Sequence, residues 1–183
     1  MGLRRGFKSE ANAYARVFRR ELDLEANAPL CPFRLAEHLG VVIVPLQQFA
    51  NDQPEAYDYL KSDAGQNEFS ALTICYRMER LIIYNNAHSP GRIAADVAHE
   101  LSHIILLHPS KPPLDEKGSR HYDAELEAEA EWLGPALLVS EEAAMTVARN
   151  GLTDKSAATL YGVSQPLMRM RLNVVGARKR ARR

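Results

Sequence analysis

The apolar positions of this chain fall into stretches with clear periods. Within residues 9–24, Ala13, Val17 and Leu24 lie near helical spacing, so a helix is expected there. Residues 32–39 read as a second helix, opened by Pro32 and closed by Gly40. Residues 41–44 are a β-branched run ended by Pro45, a short strand. Residues 50–67 are polar and rich in Asn, Asp and Gly and read mostly as loop. Residues 69–76 and 81–84 are strand-like and, joined by Arg77-Met78-Glu79-Arg80, predict a hairpin.

A longer helix follows. Ser89 is its expected N-cap and Pro90 its first residue; Ile93, Val97, Leu101 and Ile104 keep the helical period, and Pro109 ends it. Residues 109–119 are loop by composition. A further helix runs over about residues 122–133, where Gly134-Pro135 should break or kink it, because proline lacks a backbone donor and clashes with the preceding turn. After Asn150-Gly151 come two short helical stretches divided by Tyr161-Gly162-Val163-Ser164, then a basic, solvated tail. These elements make an α+β fold: a small antiparallel sheet packed against a helical layer, with a C-terminal helical extension.

Composition adds exclusions. With 183 residues, 46% hydrophobic and 25% charged, the chain has material for one ordinary core. Lys+Arg and Asp+Glu are equal at 23 each, so net charge names no partner. Cys31 and Cys75 are far apart and in no CxxC pattern, which argues against a disulfide framework or thiolate metal site and suits a reducing cytoplasm. The start lacks a signal-peptide core, and no apolar run approaches the roughly 18 residues of a spanning helix. A cytoplasmic protein without a membrane partner is expected.

The chemistry lies in His99-Glu100-Leu101-Ser102-His103, an HExxH pattern. Residues four apart on a helix stand one above the other, so two imidazoles can converge on one tetrahedral zinc ion. Glu100 points to the adjoining flank, placed to act as general base on a water. The bland alternative is two hydrogen-bonded histidines on a partly buried helix. Zinc needs a third protein ligand, and the acids Glu125, Glu127, Glu129 and Glu131 are the best source. Helical phase leaves the choice open and places Glu129 slightly nearer the apolar stripe of Leu126, Ala130, Leu133 and Leu137. For any single one of the four, a solvated acidic face is the plainer reading.

These residues resemble the ImmA/IrrE metallo-endopeptidases of bacteria and their mobile elements. The likeness runs from Leu81-Ile-Ile-Tyr-Asn and Arg92 through Ala98 to His108, and from Glu127 through Ala130 to Leu137-Leu138. Residues 35–41 and 161–172 resemble further segments of that family. The resemblance implies a zincin-like fold and a Zn2+ cofactor. It makes Glu127 the third metal ligand, leaving Glu129, which helical phase favours slightly, as the alternative, and gives Glu131 the place of a carboxylate that orients an imidazole. Glu131 stands where the family has Asn or Asp, Gly134-Pro135 where it has alanines. His108 lies one residue beyond the family's trailing histidine and receives no role.

The expected organisation is a zinc metallopeptidase domain over residues 1–150, a helix-turn-helix-like extension of it over 151–176, and a basic tail over 177–183. The expected activity is endoproteolysis of one intracellular protein. The resemblance makes that substrate a helix-turn-helix repressor whose cleavage derepresses stress or mobile-element genes. Tyr76, Tyr84, His121 and Tyr122 are candidate oxyanion donors, and residues 69–76 a candidate strand for substrate to pair with. The competing readings are a DNA-binding regulator, from residues 158–171 and the basic tail, and an antitoxin-like protein with a non-catalytic metal site. Direct nucleic-acid binding is not expected, since Pro166 opens the would-be recognition helix and few base-reading side chains follow.

Overall fold

The computed structural model describes residues 3–77, 79–109 and 123–182. Helix α1 (Phe7–Glu21) buries Phe7, Ala11, Ala15 and Phe18. That face differs from the one expected: Ala13 is exposed and Val17 only half-buried. The two phenylalanines decide the orientation, because an aromatic ring gains far more from burial than an alanine methyl. Helix α2 (Pro32–His38) starts on proline as expected and leads into β1 (Val42–Pro45).

The 50–67 segment departs from the sequence reading. It holds helices α3 (Pro54–Lys61) and α4 (Gly65–Glu68) rather than mostly loop. Helix α3 buries no residue, so it leaves no strong core stripe for periodicity to reveal. Local bonds hold it instead: Pro54 starts it, Lys61 pairs with Asp58, and the Tyr59 hydroxyl donates to Glu68.

Strands β2 (Ala71–Tyr76) and β3 (Glu79–Tyr84) form the expected antiparallel hairpin, with Ala71 opposite Tyr84 and Tyr76 opposite Glu79. Arg77, just after β2, adopts a positive φ of 55°. Glu79 and Arg80, assigned to the turn from sequence, belong to the strand. The sheet order is β1-β3-β2. Strand β1 joins β3 in parallel, Val42 beside Leu81, so the sheet is mixed, and Ile82 sits fully buried at its middle.

Helix α5 (Pro90–Ile105) begins where Ser89-Pro90 predicts, although the Ser89 side chain makes no capping bond. It buries Val97, Ala98, Leu101 and Ile104. Helix α6 (Ala124–Leu138) is capped by Asp123, whose carboxylate accepts from the backbone of Glu125 and Leu126. Contrary to expectation, α6 continues through Gly134-Pro135 to Leu138. An interior proline costs ~3 kcal/mol, but Leu133, Leu137 and Leu138 are each at most 1% exposed. Burying each contributes about 1.5–3 kcal/mol, so packing outweighs the break.

Helices α7 (Glu141–Arg149), α8 (Asp154–Tyr161), α9 (Gln165–Val175) and α10 (Ala177–Arg180) complete the fold. Helix α7 has no counterpart in the sequence reading; its signal is the cap Ser140, which accepts from the Ala143 amide. The tail is less free than its charge implies: Ala177 is fully buried, Arg180 pairs with Glu141, and Arg178 with Asp154.

Two apolar cores result. One joins α1, α2, α5, α6 and the sheet; the other joins the end of α6 to α7, α8 and α9. Neighbouring residues of α5 serve both, Val97 the first and Ala98 the second, as do Leu137 and Leu138 of α6. The pair α5–α6 is therefore held from both sides. A Cβ on Gly91 would stand 2.8 Å from the Ser164 nitrogen, so the α8–α9 turn is seated directly on the start of α5. Arg19, fully buried, donates to the carbonyls of Ala15, Ala28 and Leu138 and ties α1 to the end of α6; burial pushes it down to about 10. No described helix is long and apolar enough to cross a membrane.

Candidate metal centre

Helix α5 turns Val97, Leu101 and Ile104 inward, which leaves His99, Glu100 and His103 half-buried on its opposite flank. The imidazole Nε2 atoms of His99 and His103 lie 3.1 Å apart. Helix α6 brings Glu127 to them: Oε2 is 3.2 Å from His99 Nε2, and Oε1 is 3.6 Å from His103 Nε2. These three residues are the group of potential metal donors found among the described residues, their donor atoms all within 4.8 Å of one another.

The donor set fits a zinc ion. Ligand atoms at bonds of about 2.0–2.1 Å around a tetrahedral centre stand roughly 3.3 Å apart. The separations of 3.1, 3.2 and 3.6 Å bracket that value. Two neutral imidazoles and one carboxylate also match zinc's preference for nitrogen and oxygen donors. Hydrogen bonds from His103 and His99 hold the Glu127 carboxyl well below the usual carboxylate range. Burial disfavours protonation of His99, yet its bond to Glu127 and the charges of Glu100, Glu127 and Glu131 outweigh it and raise its pKa.

The other acids go elsewhere. Glu129 Oε2 lies 3.3 Å from His108 Nε2, and its Oε1 accepts from Arg4 Nε at 2.5 Å. Glu125 and Glu131 are exposed, and neither bonds an imidazole among the described residues. Glu131 acts on His99 only as a nearby charge. Glu100 Oε2 accepts from the Thr73 hydroxyl on β2 at 2.5 Å. Tyr84 packs edge-on against Phe33, ring centres 5.6 Å apart, at the end of β3. His121 and Tyr122 lie outside the described residues.

Three neighbours of the site were missed from sequence: Thr73, His108 and Arg4. Thr73 carried only the weak signal of a polar residue in a strand. His108 Nδ1 lies 2.8 Å from His103 Nδ1, and burial lowers the His108 pKa against the opposing pull of Glu129. Nothing at Arg4 announces that it reaches residue 129. Of the remaining histidines, His88 is tied to Asp96 and the Gln66 carbonyl, and His38 to Glu21.

Comparison with family models gives one finding: the model of the IrrE N-terminal-like domain, Peptidase M78, matches residues 36–173. The match spans β1 to α9 and includes both helices of the site. No curated protein matches the chain.

Proposed function

Because this chain belongs to the IrrE N-terminal-like family of metallopeptidases, we propose that it is a zinc-dependent endopeptidase with His99, His103 and Glu127 as ligands and Glu100 as general base. The observation that carries this reading is the convergence of two imidazole nitrogens and one carboxylate within 4.8 Å. Bound zinc supplies Lewis acidity, polarising the scissile carbonyl and making a water acidic enough to attack near neutral pH.

The chain's own residues do the rest. Glu100 accepts the proton of the attacking water at a carboxylate oxygen and passes it to the departing amine nitrogen. The Thr73 hydroxyl occupies Glu100 Oε2, which leaves Oε1 to meet the water. Thr73 belongs to β2, an edge strand of the sheet. A substrate segment lying extended beside Thr73 would therefore bring its peptide bond to Glu100.

The substrate in this reading is one specific intracellular protein, a helix-turn-helix repressor, as the family resemblance implies. The DNA-binding alternative finds less support. The α8–α9 turn is seated on Gly91, Leu167, Met168, Arg171 and Leu172 of α9 are buried, and Arg169 and Arg178 are engaged with Asp154. That arrangement suits a helical hairpin closing the peptidase domain.

The test is incubation of zinc-loaded protein with a co-encoded repressor and with unrelated unfolded proteins, read by mass spectrometry. One dominant cut in the repressor, absent with Glu100→Gln, is the expected result. Absence of bound transition metal after purification and zinc supplementation would overturn the enzyme reading.

A further inference from the structure

Helix α5 ends in an unusual cap. Leu107 has φ of 54°, although it is not glycine and is 75% exposed. The Leu107 amide donates to the Ile104 carbonyl and the His108 amide to the His103 carbonyl. These are the two bonds of a Schellman motif, with Leu107 as the left-handed residue. That motif sets the residue after the left-handed one against the side chain five positions earlier, usually as an apolar contact. Here both are histidines, and one of them is His103. The five-residue spacing that leaves His108 off the helical period is thus what the cap requires for contact.

Proton bookkeeping gives this contact a direction. His103 Nδ1 lies 2.8 Å from His108 Nδ1; with its Nε2 given to a metal ion, His103 would carry its ring proton on Nδ1 and donate it to His108 Nδ1. His108 would then carry its own proton on Nε2, which lies 3.3 Å from Glu129 Oε2 and would donate to it. Glu129 accepts from Arg4 through its other oxygen, and Arg4 also bonds Glu10. The His108 and Glu129 side chains are only 7% and 12% exposed, so water competes little for these bonds. With a metal on His103 Nε2, each ring has one tautomer that satisfies this chain.

We propose that His108, oriented by Glu129, is a positioning residue for the metal centre, fixing the tautomer and ring plane of His103. The proposal rests on the zinc reading above. Glu129 thereby has a use, as a carboxylate acting through a second imidazole rather than as a ligand. Outer partners of this kind typically change metal affinity ~10–100-fold.

The test is zinc affinity by competition with a chromophoric chelator, on the full chain. His108→Ala should bind zinc about 10–100-fold more weakly than wild type. His108→Asn, whose amide oxygen can accept from His103 Nδ1, should recover part of that loss, and Glu129→Gln should fall between. In 15N-labelled, zinc-loaded wild type the His103 Nδ1 proton should appear as a slowly exchanging downfield resonance, absent in His108→Ala. Should His108→Ala fail to fold, His108→Asn and Glu129→Gln still decide. Wild-type affinity in all folded variants, with the resonance unchanged, would overturn this proposal alone. A wild type that binds no zinc, or a His103→Ala variant that binds it equally well, would overturn the metal reading and this proposal with it.

Discussion

Gly134 of α6 lies against the backbone of His99: a Cβ there would stand 3.1 Å from the His99 nitrogen and 3.2 Å from the Ala98 carbonyl carbon. Both contacts are backbone, so neither can rotate away, and the absence of a side chain lets α6 approach α5 closely enough for Glu127 to reach both imidazoles. Gly134→Ala should therefore separate stability from metal binding. Alanine gains ~1 kcal/mol of helix propensity, which offsets the cost of pushing the helices apart by a few tenths of an ångström. Melting should change little while zinc affinity drops, and Gly134→Val should lose both. Undiminished zinc affinity in Gly134→Ala would show that the spacing of the helices does not set the site.

Removing a ligand and removing the base should have different signatures. His99→Ala, His103→Ala and Glu127→Ala should each abolish stoichiometric zinc, because each removes one of three donor atoms. Glu100→Gln should keep the metal and the fold and lose hydrolysis, since it preserves shape but deletes the proton acceptor. Elemental analysis beside a cleavage assay separates the cases. Loss of metal in Glu100→Gln, or activity near wild type, would place the base elsewhere.

What could be read from sequence follows the range of the interactions involved. His99 and His103 stand together because the helical period alone puts residues four apart on one face, and the apolar residues between them announce the helix. Helical phase alone could not choose between Glu127 and Glu129, because that depends on how α6 crosses α5, a tertiary relation set partly by Gly134; the family resemblance made the choice of Glu127. His108 was hidden for another reason: its placement needs a left-handed Leu107, where no glycine signals one. Helix α3 escaped because it buries nothing. Helix α6 passed through Pro135 because three buried leucines outweigh a local preference.

Leu107→Gly tests that cap. A non-glycine residue in the left-handed region costs roughly 1–2 kcal/mol, and Leu107 recovers little through packing, being largely exposed. Glycine would remove the strain at an unfolded-state entropy cost of about 0.4–1 kcal/mol. The expected net is a stabilisation of about 0.5–1 kcal/mol by chemical denaturation, with zinc affinity retained because the bonds that place His108 are backbone bonds. A destabilised Leu107→Gly would mean that the leucine side chain itself holds the cap.

The pH dependence of metal binding follows from His99. Its pKa is raised above the ordinary 6.5 because the hydrogen bond to Glu127 and the charges of Glu100, Glu127 and Glu131 together outweigh burial. A proton on Nε2 excludes the metal, so zinc affinity should be level above the folded pKa and fall about tenfold per pH unit below it. The fall should begin above pH 6.5. The metal-free protein should behave oppositely. A raised imidazole pKa contributes stability that is full below 6.5 and is lost as pH rises through the folded value. Glu127, held low from its ordinary 4.5, contributes stability above 4.5 that is lost in stronger acid. The pair should therefore stabilise the metal-free fold most between pH 4.5 and 6.5. Melting of metal-free wild type against Glu127→Gln between pH 4 and 8.5 should show the largest difference inside that window, while chelator competition shows affinity climbing through it. Zinc affinity that is flat across pH 5.5–7.5, or a melting difference that grows steadily toward alkaline pH, would mean that His99 and Glu127 are not coupled in solution as they are in the structure.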